Sequence, residues 1–186
     1  GVEHVFTAVE SCRTSLYETD SDVDENVTDS SKLSVRSDYK AKKSWIKFDI
    51  GDLDVSKLRS AVLTLTLNDP RGGANTCDVS AVKDDYLDNI GWTRTSLTWN
   101  NAPGNLTTDL GALDPTKTTY ISTIPFTDGV AGQAFTVNVT DAVKADTDGI
   151  VQFVLHDSPL LINFATHDHP TAAYHPYLTL VFPPLG

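Results

Sequence analysis

Apolar and polar residues alternate in short runs along the whole chain, and glycine, proline, asparagine and aspartate separate the runs. A period of two is typical of half-buried β-strands, and no amphipathic pattern of helical length interrupts it. The pattern predicts ten strands, over residues 4–9, 33–36, 44–50, 60–67, 77–82, 121–126, 134–139, 150–156, 161–166 and 177–182. Ten short strands favour two packed sheets, so we predict an all-β, jelly-roll-like antiparallel β-sandwich. Residues 141–146 predict a short helical connector.

The chain has the length of one all-β domain, at 186 residues. We predict that this domain covers residues 1–183, because Pro183 and Pro184 cannot continue a hydrogen-bonded strand. Residues 184–186 are interpreted as the start of a linker within a longer protein. No apolar run approaches the length of about 18 residues that a membrane helix needs, so we expect a soluble protein. We also expect a monomer.

The charge balance excludes some partners. The chain has 25 acidic residues against 14 lysines and arginines, a formal net charge of -11. Such a charge repels nucleic acid and anionic membrane surfaces, so we expect neither as a partner. Cys12 and Cys77 lack metal-type spacing, and they form either one disulfide or two small buried residues.

Alternation within residues 44–50 separates two faces of one strand. Ile46 and Phe48 lie on one face, whereas Trp45 and Lys47 lie on the other. Since apolar members of a strand normally turn to the core, we expect Trp45 and Lys47 to project from the sheet. Binding of a ligand and ordinary surface cover are both open for them, whereas Trp92 is interpreted as structural.

The same reasoning directs Arg36, His156 and Tyr177 outward from their own strands. If these strands are neighbours, the five side chains share one sheet face. An arginine fork pairs bidentately with a carboxylate, and an aromatic ring offers a platform for a sugar. The mixture therefore predicts a surface for an anionic sugar such as a uronate.

Five blocks of sequence, in order, resemble one known family. They are residues 43–50 (KSWIKFDI), 55–67 (VSKLRSAVLTLTL), 92–103 (WTRTSLTWNNAP), 135–143 (FTVNVTDAV) and 175–180 (HPYLTL). The chain is similar to the DNRLRE-type β-sandwich domains, which overlap with carbohydrate-binding module family 96. The resemblance implies a sandwich attached to secreted polysaccharide lyases, hydrolases and cell-surface proteins, with alginate as a ligand of some members. The chain departs from the family pattern at Arg94, and His167 stands where the family often has an arginine.

Metal sites have two candidate sets. Calcium favours several carboxylate oxygens, which residues 10–25 offer, and the alternative is a solvated acidic loop. The predicted structural calcium ligands are Glu10, Asp20, Asp22, Asp24 and Glu25. A zinc site built on His167 and His169, with His156 or His175, is the weaker hypothesis because no fourth ligand has a familiar spacing.

Motif searches find no nucleophile elbow, phosphate loop or zinc-protease pattern, so we expect no enzyme. We predict an extracellular carbohydrate-binding module that brings a covalently linked catalytic domain to a polysaccharide, with an acidic one such as alginate favoured. The alternatives are a structural or adhesion spacer of a bacterial surface protein, and a polysaccharide lyase using His156, Arg36 and Tyr177. The candidate ligand-binding residues are Arg36, Trp45, Lys47, His156, His167 and Tyr177.

Overall fold

The computed structural model describes residues 1–17, 23–27, 31–84 and 89–185, and the regular secondary structure within these ranges is almost entirely β-strand. The strands are β1 (Val2–Thr7), β2 (Glu10–Ser15), β3 (Lys32–Val35), β4 (Lys42–Asp49), β5 (Ser60–Thr66), β6 (Arg71–Val82), β7 (Thr118–Gly129), β8 (Ala134–Asn138), β9 (Ile150–His156), β10 (Ile162–Ala165) and β11 (Tyr177–Phe182). One α-helix, α1 (Thr140–Lys144), follows β8 at the predicted connector. Two 3₁₀ turns are Val55–Lys57 and Ala172–Tyr174.

The strands form two main antiparallel sheets. The four-stranded sheet has the order β1-β11-β5-β8, and the five-stranded sheet has the order β2-β4-β9-β6-β7. The short pair β10-β3 joins the end of β5 through a bridge between Leu67 and Phe164. The all-β antiparallel sandwich predicted from the sequence is therefore confirmed.

Alternating side chains of both sheets build one main core. Ile46 and Phe48 of β4 are fully buried, and Phe153 of β9 packs edge-on against Phe48 with ring centroids 6.1 Å apart. The opposite sheet contributes Leu63 of β5 and Leu178 of β11, which are register partners. The apolar faces inferred from the alternation are those that meet in the core.

Two features of the five-stranded sheet differ from the sequence expectation. Strand β2 was not predicted, because ESCRTS has no apolar alternation, yet five of its six residues are buried. Strands β6 and β7 are 12 residues each and form a long antiparallel pair, so they exceed the predicted runs.

The open question about the cysteines is answered by their positions. Cys12 belongs to a second apolar cluster, whereas Cys77 lies in the main core, and both are free thiols. They are two buried residues, not a disulfide. As for membranes, none of the helices within the described ranges is long and apolar enough to span one.

Candidate functional site

The predicted outer face of β4 is covered. Trp45 and Lys47 do point away from the main core, but their exposed fractions are 0% and 7%, so the expectation that they project into solvent is wrong. Residues 89–117, which we call the covering segment, lie over this face. Its Trp92 and Leu97 pack with Trp45 in the second apolar cluster, which separates that ring from any ligand.

Lys43, two residues before Trp45, contacts residues 105–112 of the covering segment. Its buried ammonium group donates hydrogen bonds to the carbonyl oxygen of Ala112 (2.6 Å), to Asn105 Oδ1 (2.8 Å) and to the carbonyl oxygen of Asp109 (2.9 Å). Its Nζ also lies 4.6 Å from the ring centroid of Trp99. The ammonium group thus binds two backbone carbonyl groups, one side-chain amide and one aromatic face.

Lys47 and Trp45 form similar hydrogen bonds to residues 90–103 of the covering segment. Lys47 Nζ donates to the carbonyl oxygens of Ile90 (2.9 Å) and Trp92 (2.5 Å), and it lies 4.6 Å from the Trp92 ring centroid. Trp45 Nε1 donates to the carbonyl oxygen of Pro103 at 3.0 Å. Burial lowers the pKa of Lys47. The predicted cationic binding face is therefore an internal support for the covering segment.

His156 has a similar structural position. Its Nδ1 lies 2.9 Å from the carbonyl oxygen of Gly111, and its Nε2 lies 2.8 Å from Ser80 Oγ. Because a carbonyl only accepts, Nδ1 carries the proton and Nε2 accepts from the hydroxyl group. Burial lowers the pKa of His156, which favours the neutral ring. The side chain is 6% exposed, so its predicted outward projection is wrong.

Two other predicted residues do not join this face. Tyr177 lies on β11 of the four-stranded sheet, partly exposed, and Arg36 follows β3 of the two-stranded sheet. The outward direction of Tyr177 is confirmed, but the shared face is not, because the strands involved belong to three sheets. His156, Arg36 and Tyr177 consequently do not line one cleft, as the lyase alternative requires.

His167 lies beside β2 in a polar setting. Its Nδ1 is 2.7 Å from Ser11 Oγ, and its Nε2 is 3.7 Å from Glu10 Oε2. His169 Nε2 instead lies 2.7 Å from Asn68 Oδ1. In the described ranges, no cluster of three possible metal ligands contains a histidine, so the proposed zinc set is not brought together.

The predicted calcium ligands are only partly described. Asp20 and Asp22 lie outside the described residues. Glu10 Oε2 accepts a hydrogen bond from the Arg94 backbone N–H (2.8 Å), and Asp24 Oδ1 accepts one from Asn100 Nδ2 (2.8 Å). Glu25 is exposed. One carboxylate oxygen of Glu10 and one of Asp24 are thus hydrogen-bonded to residues 94 and 100 of the covering segment.

Among the described residues, a different group of three carboxylates could hold a metal ion. This group was not predicted from the sequence. Oxygens of Asp84, Asp146 and Asp148 lie within 4.8 Å of one another. Burial, assisted by a hydrogen bond with Asp148, raises the pKa of Asp146 to about 7. A shared proton therefore reduces the repulsion in this cluster near neutral pH. Asp84 is 62 residues from Asp146, so no local pattern indicates the contact.

Several basic and aromatic residues lie around the turn between β3 and β4. This hairpin patch consists of Tyr17, Arg36, Tyr39, Lys40 and Lys42. Tyr39 is 72% exposed and Tyr17 is 56% exposed, and Lys40 Nζ lies 5.6 Å from the Tyr39 ring centroid. Tyr17 is next to Leu16, whose N–H donates to the carbonyl oxygen of Ala41.

Arg36 is oriented within the patch by Asp38. Its Nε and Nη2 donate to the two carboxylate oxygens at 2.9 and 2.5 Å, and these bonds hold the pKa of Asp38 below its usual range. A guanidinium group has five N–H donors, so this pair uses two of them. Three basic side chains against one carboxylate make residues 36–42 locally cationic in a strongly acidic protein.

Comparisons with known proteins identify a family for the chain. The profile of the family described as "Carbohydrate-binding module family 96" matches residues 16–181. No curated protein matches the chain by sequence. One solved chain that it resembles is a D341A D367A calcium binding mutant of Bacteroides uniformis beta-glucuronidase 2, at 9% identity and a TM-score of 0.39. The alignment covers 97% of this chain and 18% of that one, so the present chain spans less than a fifth of its length.

Proposed function

Because the chain belongs to carbohydrate-binding module family 96, we propose that it binds an acidic polysaccharide such as alginate through the hairpin patch. The observation that carries this proposal is Tyr39, an aromatic ring that is 72% exposed and lies beside Lys40 Nζ. A buried aromatic ring contributes to stability, whereas one held this far into solvent offers its face to a ligand.

The chemistry of the patch favours a uronate over a neutral sugar. Lys40 and the donors of Arg36 that Asp38 leaves available provide charge-assisted hydrogen bonds to a carboxylate. Tyr39 provides an apolar face for the C–H groups of a pyranose ring. The formal charge of -11 does not prevent this, since exposed charges more than about 8 Å away are screened at physiological salt.

We further propose that the module is secreted, monomeric and non-catalytic, and that it is covalently linked to a catalytic domain. In that arrangement it accelerates the enzyme by raising its concentration near the polysaccharide. The single domain over residues 1–183 is part of this proposal. Roles of His167 and Tyr177 in ligand binding, and a calcium ion at residues 10–25, stay predictions.

Calorimetry with oligomannuronate and oligoguluronate tests the proposal. We expect binding that weakens as NaCl rises from about 50 to about 300 mM, because the carboxylate contacts are exposed. Tyr39→Ala and Arg36→Ala should each weaken it by about tenfold or more. Tyr120→Ala, at a tyrosine of β7 that is 59% exposed, is the matched control. Absence of binding to any acidic glycan would favour the structural spacer.

A further inference from the structure

A groove runs along the edge of the sandwich where the two main sheets are not hydrogen-bonded to each other. It lies between β7, the last strand of one sheet, and the end of β8 with α1. Two adjoining depressions of about 410 and 330 Å³ form it, and they share Thr119, Asp141 and Ala142. Each volume lies within the range of about 300–1,000 Å³ that is usual for ligand sites.

The floor of this edge groove is apolar and one wall is aromatic. Val82, Ala142 and Ile150 form part of the floor. Tyr120 lines the wall and is 59% exposed. Its hydroxyl group lies 2.6 Å from Thr123 Oγ1, which orients the ring before any ligand arrives. A pre-oriented exposed ring beside an apolar depression is suited to the C–H face of a sugar.

Polar side chains at the rim of the groove can form hydrogen bonds with the hydroxyl groups of a sugar. Asn138 Oδ1 accepts from the N–H (3.0 Å) and from the hydroxyl group (2.7 Å) of Thr140, which fixes its amide. Asn138 and Asp141 are both exposed and line the same depression. A sugar hydroxyl both donates and accepts, and these two side chains offer one partner of each kind.

The charge of the edge groove selects against acidic sugars. Its lining contains the carboxyl groups of Asp84, Asp141 and Asp146 and one lysine, Lys83. A uronate carboxylate there would face like charges, and this is the opposite of the hairpin patch. A peptide strand is also disfavoured on this edge, because Pro125 lacks an N–H donor for strand pairing on β7.

We infer that the edge groove is a second binding site, and that it takes an uncharged polysaccharide chain stacked on Tyr120. The inference does not depend on the hairpin patch, because the two sites use different strands and opposite charge. A module with both sites attaches its parent protein to a neutral and an acidic glycan in the same material.

Calorimetry with neutral hexasaccharides of glucose, mannose and xylose, and with oligomannuronate, tests the inference. We expect at least one neutral hexasaccharide to bind, with an affinity that changes less than about twofold between 50 and 300 mM NaCl. Tyr120→Ala should weaken this binding about tenfold, whereas Tyr120→Phe keeps the ring and should retain it within about threefold. Tyr39→Ala should leave it unchanged.

Three results would overturn the inference. They are no binding of any neutral hexasaccharide to the wild type, equal binding by Tyr120→Ala, and loss of oligomannuronate binding in that variant. Thermal melts of the variants show whether they fold, and Tyr120 is exposed enough that we expect no large change. Failure of the hairpin patch alone would leave the neutral binding and its dependence on Tyr120 in place.

Discussion

Replacing Lys43 by methionine should destabilise the protein substantially, although the residue contacts no ligand. Methionine keeps the length and apolar stem of the side chain but removes the ammonium group. Four oxygen acceptors then lose their donor, on Asn105, Leu106, Asp109 and Ala112. Removing one partner of a buried charged group typically costs about 3–5 kcal/mol, and we expect the low end, about 3 kcal/mol, because part of this segment is accessible to water.

Burying the charged ammonium group of Lys43 itself costs free energy, and removing the charge recovers part of the stability that the lost hydrogen bonds provided. Burial lowers its pKa to about 8, and Asp109 and Asp157 act in the opposite direction. Since the folded pKa lies below the unfolded value, the folded state binds fewer protons between about pH 8 and 10.5, and the free energy of unfolding rises with pH in that window. The methionine variant should lack this rise. At pH 7 both states keep the lysine charged, and the lost hydrogen bonds dominate.

Urea unfolding and thermal melts measure the effect. A loss of about 3 kcal/mol corresponds to a fall in Tm of about 6–12 °C for a chain of this size. In Lys43→Met, hydrogen exchange should accelerate more, relative to wild type, for the amides of residues 99–114 than for those of the core strands. Lys144→Met, at an exposed lysine of α1, is the control and should stay within about 0.5 kcal/mol. A comparably small change for Lys43→Met would refute the support role.

Other predictions concern the buried groups. Trp45→Phe should cost about 2–3 kcal/mol in urea unfolding, because it leaves a cavity and an unpaired carbonyl, and an unchanged midpoint would contradict this. The folded pKa of Asp146 lies above its unfolded value, so its stabilisation is complete at low pH and is lost as pH rises through 7. Asp146→Asn should therefore be more stable than wild type at pH 8, by about 1 kcal/mol after allowance for solvent screening, and not at pH 4; equal gains at both would argue against it. Cys12 and Cys77, whose thiol pKa values burial raises, should resist Ellman's reagent in the native protein and give two thiols on unfolding without reductant, whereas none would indicate a disulfide.

The sandwich was predictable because alternation is a local signal. Strand β9 was placed at its observed bounds, and the core faces of Ile46 and Phe48 follow from spacing alone. Strand β2 was missed because its buried residues are mostly polar. They are covered on both sides by segments distant in sequence, and no periodicity within ESCRTS indicates that.

The covering of Trp45 and Lys47 was not predictable from their own strand. Alternation assigns a residue to a face, but it does not say whether another segment lies over that face. A clue was available in residues 89–117, which carry Trp92, Leu97 and Trp99, a larger apolar content than a solvated loop needs. Of the hairpin patch, Arg36 was predicted as a ligand-binding residue, but Tyr39 was not, since it lies in a turn and strand alternation does not apply to it.

The most direct test of acidic-glycan recognition is an NMR titration of the ¹⁵N-labelled protein with oligoguluronate. The account predicts that amide shifts concentrate at residues 36–42 and around Tyr17, and that Tyr39→Ala removes them. Shifts confined to the edge groove, or no shifts at all, would contradict the claim that the hairpin patch binds the acidic polysaccharide.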